Sequence, residues 1–425
     1  MRKDIFVKFI DKSWRKPELR APFGHRQASW IELFFDLIFV SAFGVLNIVN
    51  FEEDIYISHE EFFLYVLGFI SLWIVWMNIT YYSNHFENRT LRHRSILFLN
   101  LITVGMLTYG INDNVSGIIN KQSIVYMISF ILSRLILIIS WKNAYSDKIP
   151  EQLRTMIGRL GVLYGLSAVS GIIIFIMLVW LDYPIKYGIS IWAVTLAIEI
   201  IAVSVIIAVS QKNLTTIHRE HIVERFGLLT MLLLGEMIVN TLGGFRANAD
   251  INPELIARGI LVLLLIFMYW SIYYDQVMVG AYQEDSRSRI IWTSFQFMFA
   301  LTTMIFSAYI GQLASGAELE PVAKNTIIMA LIIYFVTILI LSITIDVSDR
   351  LESEQLGAEE FVIPVEYKVL GTFRLLTVGV LGALYFIDVK STMNMILIFI
   401  AILGMNIILG EYAERSIFRY GSKRK

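Results

Sequence analysis

Residues 185–209 read IKYGISIWAVTLAIEIIAVSVIIAV, and Lys186 and Glu199 are the only charged side chains in the run. Coiled as an α-helix at roughly 1.5 Å per residue, such a run is longer than the ~30 Å hydrocarbon core of a bilayer. Working outward from it, apolar runs of the same kind recur along the chain. They cover 31–50, 62–82, 95–111, 122–141, 159–180, 185–209, 225–243, 257–279, 290–312, 325–345, 367–387 and 392–410. The sequence thus predicts an all-α, polytopic transmembrane bundle of about twelve helices.

Composition agrees. Of the 425 residues, 56% are hydrophobic and 17% charged, with a mean hydropathy of +0.65. A soluble domain carries about 25% charged residues, and one core of this length has no room for so much apolar surface. The lipid bilayer is therefore the expected surrounding. A net charge of −1 gives no argument for nucleic acid. The absence of cysteine excludes disulfides, thiolate metal sites and cysteine nucleophiles. The basic, polar residues 1–30 and the carboxylate-bearing run from Ile31 predict a retained anchor rather than a cleaved leader.

Orientation follows from lysine and arginine, which stay on the cytoplasmic side. With the N-terminus inside, 28 of the 35 fall in inner segments, six in outer loops, and Arg134 within a span. Both termini are expected in the cytoplasm. Residues 1–30 then form a basic N-terminal tail, 31–209 the first six helices, 210–410 the second six, and 411–425 a basic C-terminal tail. The longest loop, 346–366, is acidic and reads as a solvated linker or a partner-binding segment.

The halves are weakly alike. Glu32-Leu-Phe-Phe-Asp opens one and Glu224-Arg-Phe-Gly-Leu the other; Trp76-Met-Asn-Ile-Thr-Tyr-Tyr and Trp270-Ser-Ile-Tyr-Tyr-Asp close their second helices. Six helices per unit would make parallel repeats, a layout that places transported substrate where the repeats meet.

Ionisable groups inside a bilayer are costly, by roughly 2.5–3.5 kcal/mol even on lenient scales, and mark functional positions. Asp36, Arg134, Glu199, Glu236 and Asp275 qualify. Depth along each run puts Asp36, Arg134 and Asp275 toward the cytoplasmic side and the two glutamates near the midplane. Arg134 is expected to pair with Asp36 or Asp275, leaving surplus carboxylates protonated, hydrated or cation-bound. Glu32, Glu224, Arg225, His25 and His221 stand at the cytoplasmic entrances, where Glu32 and Asp36 share a helix face. The inner histidines show no metal-ligand spacing, so no metal and no cofactor is assigned. Phosphate loops, nucleophile elbows and dinucleotide fingerprints are missing, so no catalytic residue is assigned either.

Two stretches carry a family resemblance. His25-Arg-Gln-Ala-Ser-Trp-Ile-Glu-Leu-Phe-Phe-Asp-Leu-Ile-Phe-Val resembles the opening signature of the bacterial low temperature requirement A family. His221-Ile-Val-Glu-Arg-Phe-Gly-Leu, followed by Leu234-Gly-Glu, is similar to its second marker. The resemblance weakens after about residue 315. It implies a multi-pass protein of the bacterial inner membrane linked to growth in the cold, and puts Glu32, Asp36, Glu224, Arg225 and Glu236 at motif positions. It implies no reaction.

The reading these residues support is a secondary transporter coupling a small-molecule or lipid-like substrate to protons or cations. Asp36 and Glu236 would bind the ion, Arg134 would neutralise a carboxylate, and Asp275 would assist. The alternatives are a membrane enzyme acting on a lipid or isoprenoid through the inner histidines with Glu32 and Glu224, and a non-catalytic envelope scaffold. Substrate and oligomeric state are not legible at this level.

Overall fold

The structure is a computed structural model that describes residues 14, 16–19, 27–51, 59–86, 90–110, 121–146, 149–210, 218–246, 252–276, 286–317, 319–355, 365–387, 389 and 391–422. His25 and residues 356–364, the centre of the acidic loop, lie outside these. Twelve α-helices follow in order: α1 (Trp30–Phe51), α2 (His59–His85), α3 (Leu91–Gly110), α4 (Lys121–Ala144), α5 (Glu151–Phe175) and α6 (Ile185–Ser210). Then come α7 (Arg219–Arg246), α8 (Pro253–Gln276), α9 (Ser286–Ser315), α10 (Pro321–Gln355), α11 (Val365–Phe386) and α12 (Thr392–Ser422).

Each apolar run becomes one helix, because a backbone in hydrocarbon must satisfy its polar groups internally. Several helices outrun their apolar cores; α7 begins at Arg219 and α10 continues to Gln355. Hydrogen bonding propagates into water once the apolar segment has nucleated the helix. Nine helices among the described residues are long and apolar enough to cross a membrane: α2, α4, α5, α6 and α8 to α12. Of the other three, α3 opens on Leu91-Arg-His-Arg, α7 carries Arg219, Glu220, Glu224, Arg225, Glu236 and Arg246, and α1 carries Glu32 and Asp36.

The chain divides into two compact units, residues 1–50 with 58–228 and residues 229–425 with 51–57, so α7 contributes to both. In unit 1, α3, α4, α5 and α6 pack in sequence, and α2 packs on α3, α4 and α6. α2 is its buried axis, with Phe69, Leu72, Trp73, Ile74, Val75, Trp76 and Met77 shielded on every side. A helix apolar all round belongs in such a position. α5 and α6 instead show apolar stripes outward, including Val162, Leu166, Val169, Val194, Ile198 and Ile201, as lipid-facing helices do.

In unit 2, α9, α10, α11 and α12 pack in sequence, and α8 packs on α9 and α12. α7 crosses α9 closely: a Cβ on Gly244 would strike the carbonyl of Gly311, and Asn240 Nδ2 donates to Ser307 O at 3.1 Å and Oγ at 3.0 Å. Small residues that let backbones approach are a usual solution where hydrocarbon supplies no hydrophobic drive between helices.

Candidate functional site

Two buried charge clusters stand out, both in unit 1. The first joins the start of α1, the end of α2 and the start of α7. Ser29-Trp-Ile-Glu32 caps α1: Ser29 N and Oγ both donate to Glu32 Oε2 at 2.7 Å. This capping box holds the Glu32 side chain against the helix start. Asp36 lies one turn on, wholly buried, and its Oδ1 accepts from Trp76 Nε1 at 2.8 Å and Arg225 Nη2 at 2.5 Å. Arg225 Nη1 reaches Glu32 Oε1 at 3.6 Å, so one guanidinium spans both carboxylates.

His221, one turn before Arg225 on α7, completes the cluster, its Nε2 3.5 Å from Glu32 Oε2. Asn84 orients it. The Asn84 amide is pinned by two backbone bonds to His218, Nδ2 donating to the carbonyl at 2.8 Å and Oδ1 accepting from the amide at 3.2 Å. Its Nδ2 therefore faces His221 Nδ1 at 3.2 Å as a donor. The contact turns the other ring nitrogen, Nε2, toward Glu32. Glu224, half-buried, accepts from Ala28 N at 3.1 Å and ties the segment before α1 to α7.

Glu32, Asp36, His221 and Arg225 are all at most 2% exposed. Together they place two carboxylates around one guanidinium and one imidazole. Asp36 Oδ2 and Arg225 Nε have no hydrogen-bond partner among the described residues. Two carboxylates buried this close to one another favour a proton held between them, since burial and a like charge both disfavour the ionised form.

The second cluster is a clamp. Arg134 on α4 and Glu199 on α6 form a two-pronged pair, Nε to Oε1 at 3.1 Å and Nη2 to Oε2 at 2.9 Å. Ser167 of α5 donates to Glu199 Oε2 at 3.1 Å, Arg134 Nη1 donates to Ser133 Oγ at 2.9 Å, and the guanidinium lies 4.1 Å over the Phe130 ring. Three helices are joined by a pair that is already neutral.

This pairing corrects the sequence reading, which gave Arg134 to Asp36 or Asp275 and set Arg134 and Glu199 at different depths. α4 continues past its apolar run to Ala144, which sets Arg134 deeper than its distance from residue 141 suggests. Arg134 lies 13 residues into α4 and Glu199 14 into α6, roughly 20 Å along each axis, and the two meet. Asp275 is exposed and takes a 2.6 Å hydrogen bond from Ser271, a turn back on its own helix. Glu236 is half-buried in unit 2. Arg225 was read only as an entrance residue, and Trp76 and Asn84 were not read as site residues at all. One signal was present: Glu32 with Asp36, and His221 with Arg225, are both four-residue pairs, each on one helix face and opposite in charge. Among the described residues no grouping of three or more His, Asp or Glu is placed to hold a metal ion.

Long apolar helices enclosing buried ion pairs define a polytopic, all-α membrane protein. The chain belongs to the family of the bacterial low temperature requirement A protein (LtrA), whose model matches residues 27–408. That match runs well past residue 315, where the two sequence markers alone had left the likeness fading. No curated protein and no solved structure matches the chain.

Proposed function

We propose that the protein is a proton-coupled secondary transporter of the bacterial inner membrane, with the Glu32–Asp36–His221–Arg225 cluster as its proton site. The single observation that carries this reading is the geometry: two buried carboxylates, Glu32 and Asp36, share the one guanidinium of Arg225, and Asp36 Oδ2 has no hydrogen-bond partner among the described residues. Such a group gains or loses its proton as access to water changes, which is what coupling to a proton gradient requires. The Arg134–Glu199 pair has a different role, holding α4, α5 and α6 together.

Three features belong to the same proposal. All twelve helices span, α1, α3 and α7 included, with Glu32 and Asp36 of α1 paired to Arg225 of α7. Both termini are cytoplasmic, from the lysine and arginine bias, which puts the proton site toward the cytoplasm. The two sets of six helices are parallel repeats. The shared order of neighbours supports this: α2 and α8 each pack on the next helix and on the last of their six. The substrate class is a small or lipid-like solute.

The family's description links the proposal to cold growth, which supplies the test. A strain lacking the protein is complemented at low temperature by variants matched for membrane abundance. Asp36→Asn and Glu32→Gln are expected to fail, and Glu236→Gln and Asp275→Asn to succeed. Complementation by Asp36→Asn would overturn the proton site. Failure of His221→Ala together with success of Asp36→Asn would favour instead a lipid-acting enzyme built on the Glu32–His221 contact.

A further inference from the structure

At the end of unit 1 opposite the charge cluster, α2, α4, α5 and α6 surround a small cavity that opens to the surface. Every contributor comes from the same end of its helix: Leu64 near the start of α2, Met127 near the start of α4, Leu178 past the end of α5, and Ile189 and Trp192 in the first two turns of α6. Leu64 and Asn84 are twenty residues apart on α2, or roughly 30 Å. The cavity and the proton cluster thus belong to opposite leaflets.

Local sequence builds the space. α5 does not stop at Phe175 but widens into a π-helical turn, Ile176–Trp180, in which Leu181 N bonds to Ile176 O at 3.1 Å. π turns of this kind concentrate at functional sites. The chain then reverses through Asp182, which takes a positive φ of 51°, and Pro184 precedes α6. Leu178 packs so near Gly188 that a Cβ there would collide with it.

The lining is mostly apolar, and of its polar side chains, Ser123, Tyr126 and Trp192, the last points to a ligand. Trp192 is 7% exposed and packs edge-on against Tyr126 at 4.8 Å, yet its Nε1–H has no acceptor among the described residues. The Tyr126 hydroxyl is already taken by Ser71 Oγ at 2.9 Å. An indole N–H only donates, and leaving it buried and unmatched is costly. Ile172, Ile173 and Ile176, neighbours in sequence of the lining residues Gly171, Ile174 and Leu178, are exposed apolar side chains suited to hydrocarbon. Trp180, Tyr183 and Tyr187 form the aromatic fringe found at headgroup level.

We infer that this cavity binds one acyl chain of a bilayer lipid, with the chain's ester carbonyl accepting from Trp192 Nε1. The site takes an oxygen acceptor attached to hydrocarbon and has no charged side chain in its lining for a phosphate. The inference rests on unit 1 crossing the bilayer and not on proton coupling.

The test is photolabelling of the full-length protein in lipid nanodiscs containing a phospholipid with a diazirine near its acyl carbonyl. Peptides carrying Met127, Leu178 and Trp192 are expected to label severalfold above the exposed α5 face at Val162 and Leu166. Gly188→Leu, which fills the space, should bring them down to that level. Trp192→Phe keeps the wall and removes the donor, and should lower labelling about fivefold, the worth of one ordinary hydrogen bond. Even labelling along α5, or full labelling in Trp192→Phe, would overturn the site. Should Gly188→Leu fail to fold, Trp192→Phe decides alone.

Discussion

Units 1 and 2 follow a similar order of helix neighbours and fill their interiors with different chemistry. Every fully buried carboxylate among the described residues (Glu32, Asp36 and Glu199) is in unit 1. Unit 2 joins its helices with neutral bonds: Tyr269 with Thr303 at 2.9 Å, Tyr273 to Gln296 at 2.9 Å, and Asn240 to Ser307. It buries Arg289, Lys324 and Arg374 as well, and Lys324 Nζ donates to the Ile387 carbonyl at 3.0 Å. A buried ion pair is often no more stabilising than apolar groups of the same shape. The acids of unit 1 therefore call for a reason beyond stability, and its two clusters answer differently. The clamp pairs one guanidinium with one carboxylate, whereas in the α1–α2–α7 cluster two carboxylates share one.

The largest effect that would sharpen this contrast is the loss of one partner of the clamp. Arg134→Ala strands Glu199 in a dry interior and is expected to destabilise the protein by about 3–5 kcal/mol, read as a lower unfolding temperature in detergent. Replacing both, Arg134→Met with Glu199→Leu, should recover most of that loss and still support cold growth. A double variant that is stable but inactive would move the clamp into the functional machinery. In unit 2, Gly244→Val forces α7 away from Gly311 and is expected to lose about 1–3 kcal/mol. Smaller again, Tyr273→Phe removes one neutral hydrogen bond to Gln296, worth about 1 kcal/mol, and should leave growth unchanged. Asp275→Asn, on an exposed side chain, is expected to stay within about 0.5 kcal/mol of the parent. A large effect there would show that unit 2 also depends on a carboxylate, and would break the comparison.

Much of the fold was legible because hydrocarbon imposes a length and a polarity that apolar runs display directly. Residues 185–209 announce α6 without any knowledge of its neighbours. The costly side chains were legible for the same reason: Asp36, Arg134 and Glu199 interrupt apolar text. Their partners were not, since pairing depends on which helices lie side by side, and one-dimensional depth misplaced Arg134 because α4 continues to Ala144, past its apolar run. Asp275 looked deep because its run of apolar residues continues past it, yet it faces outward. Arg225 looked like a boundary residue because α7 begins in charged text, yet that text is folded inside unit 1. The orienting roles of Asn84 and Trp76 left no trace in composition, because both arise from contacts with α7 and α1.

The central claim is that the α1–α2–α7 cluster holds one exchangeable proton. Infrared titration of the purified protein measures this most directly, following the protonated-carboxyl band against pH in wild type, Glu32→Gln, Asp36→Asn and Glu199→Gln. The account predicts a band that appears and vanishes with pH in wild type and in Glu199→Gln, and that is lost or displaced when Glu32 or Asp36 is changed. A band insensitive to both changes, or one that follows Glu199 instead, would contradict it.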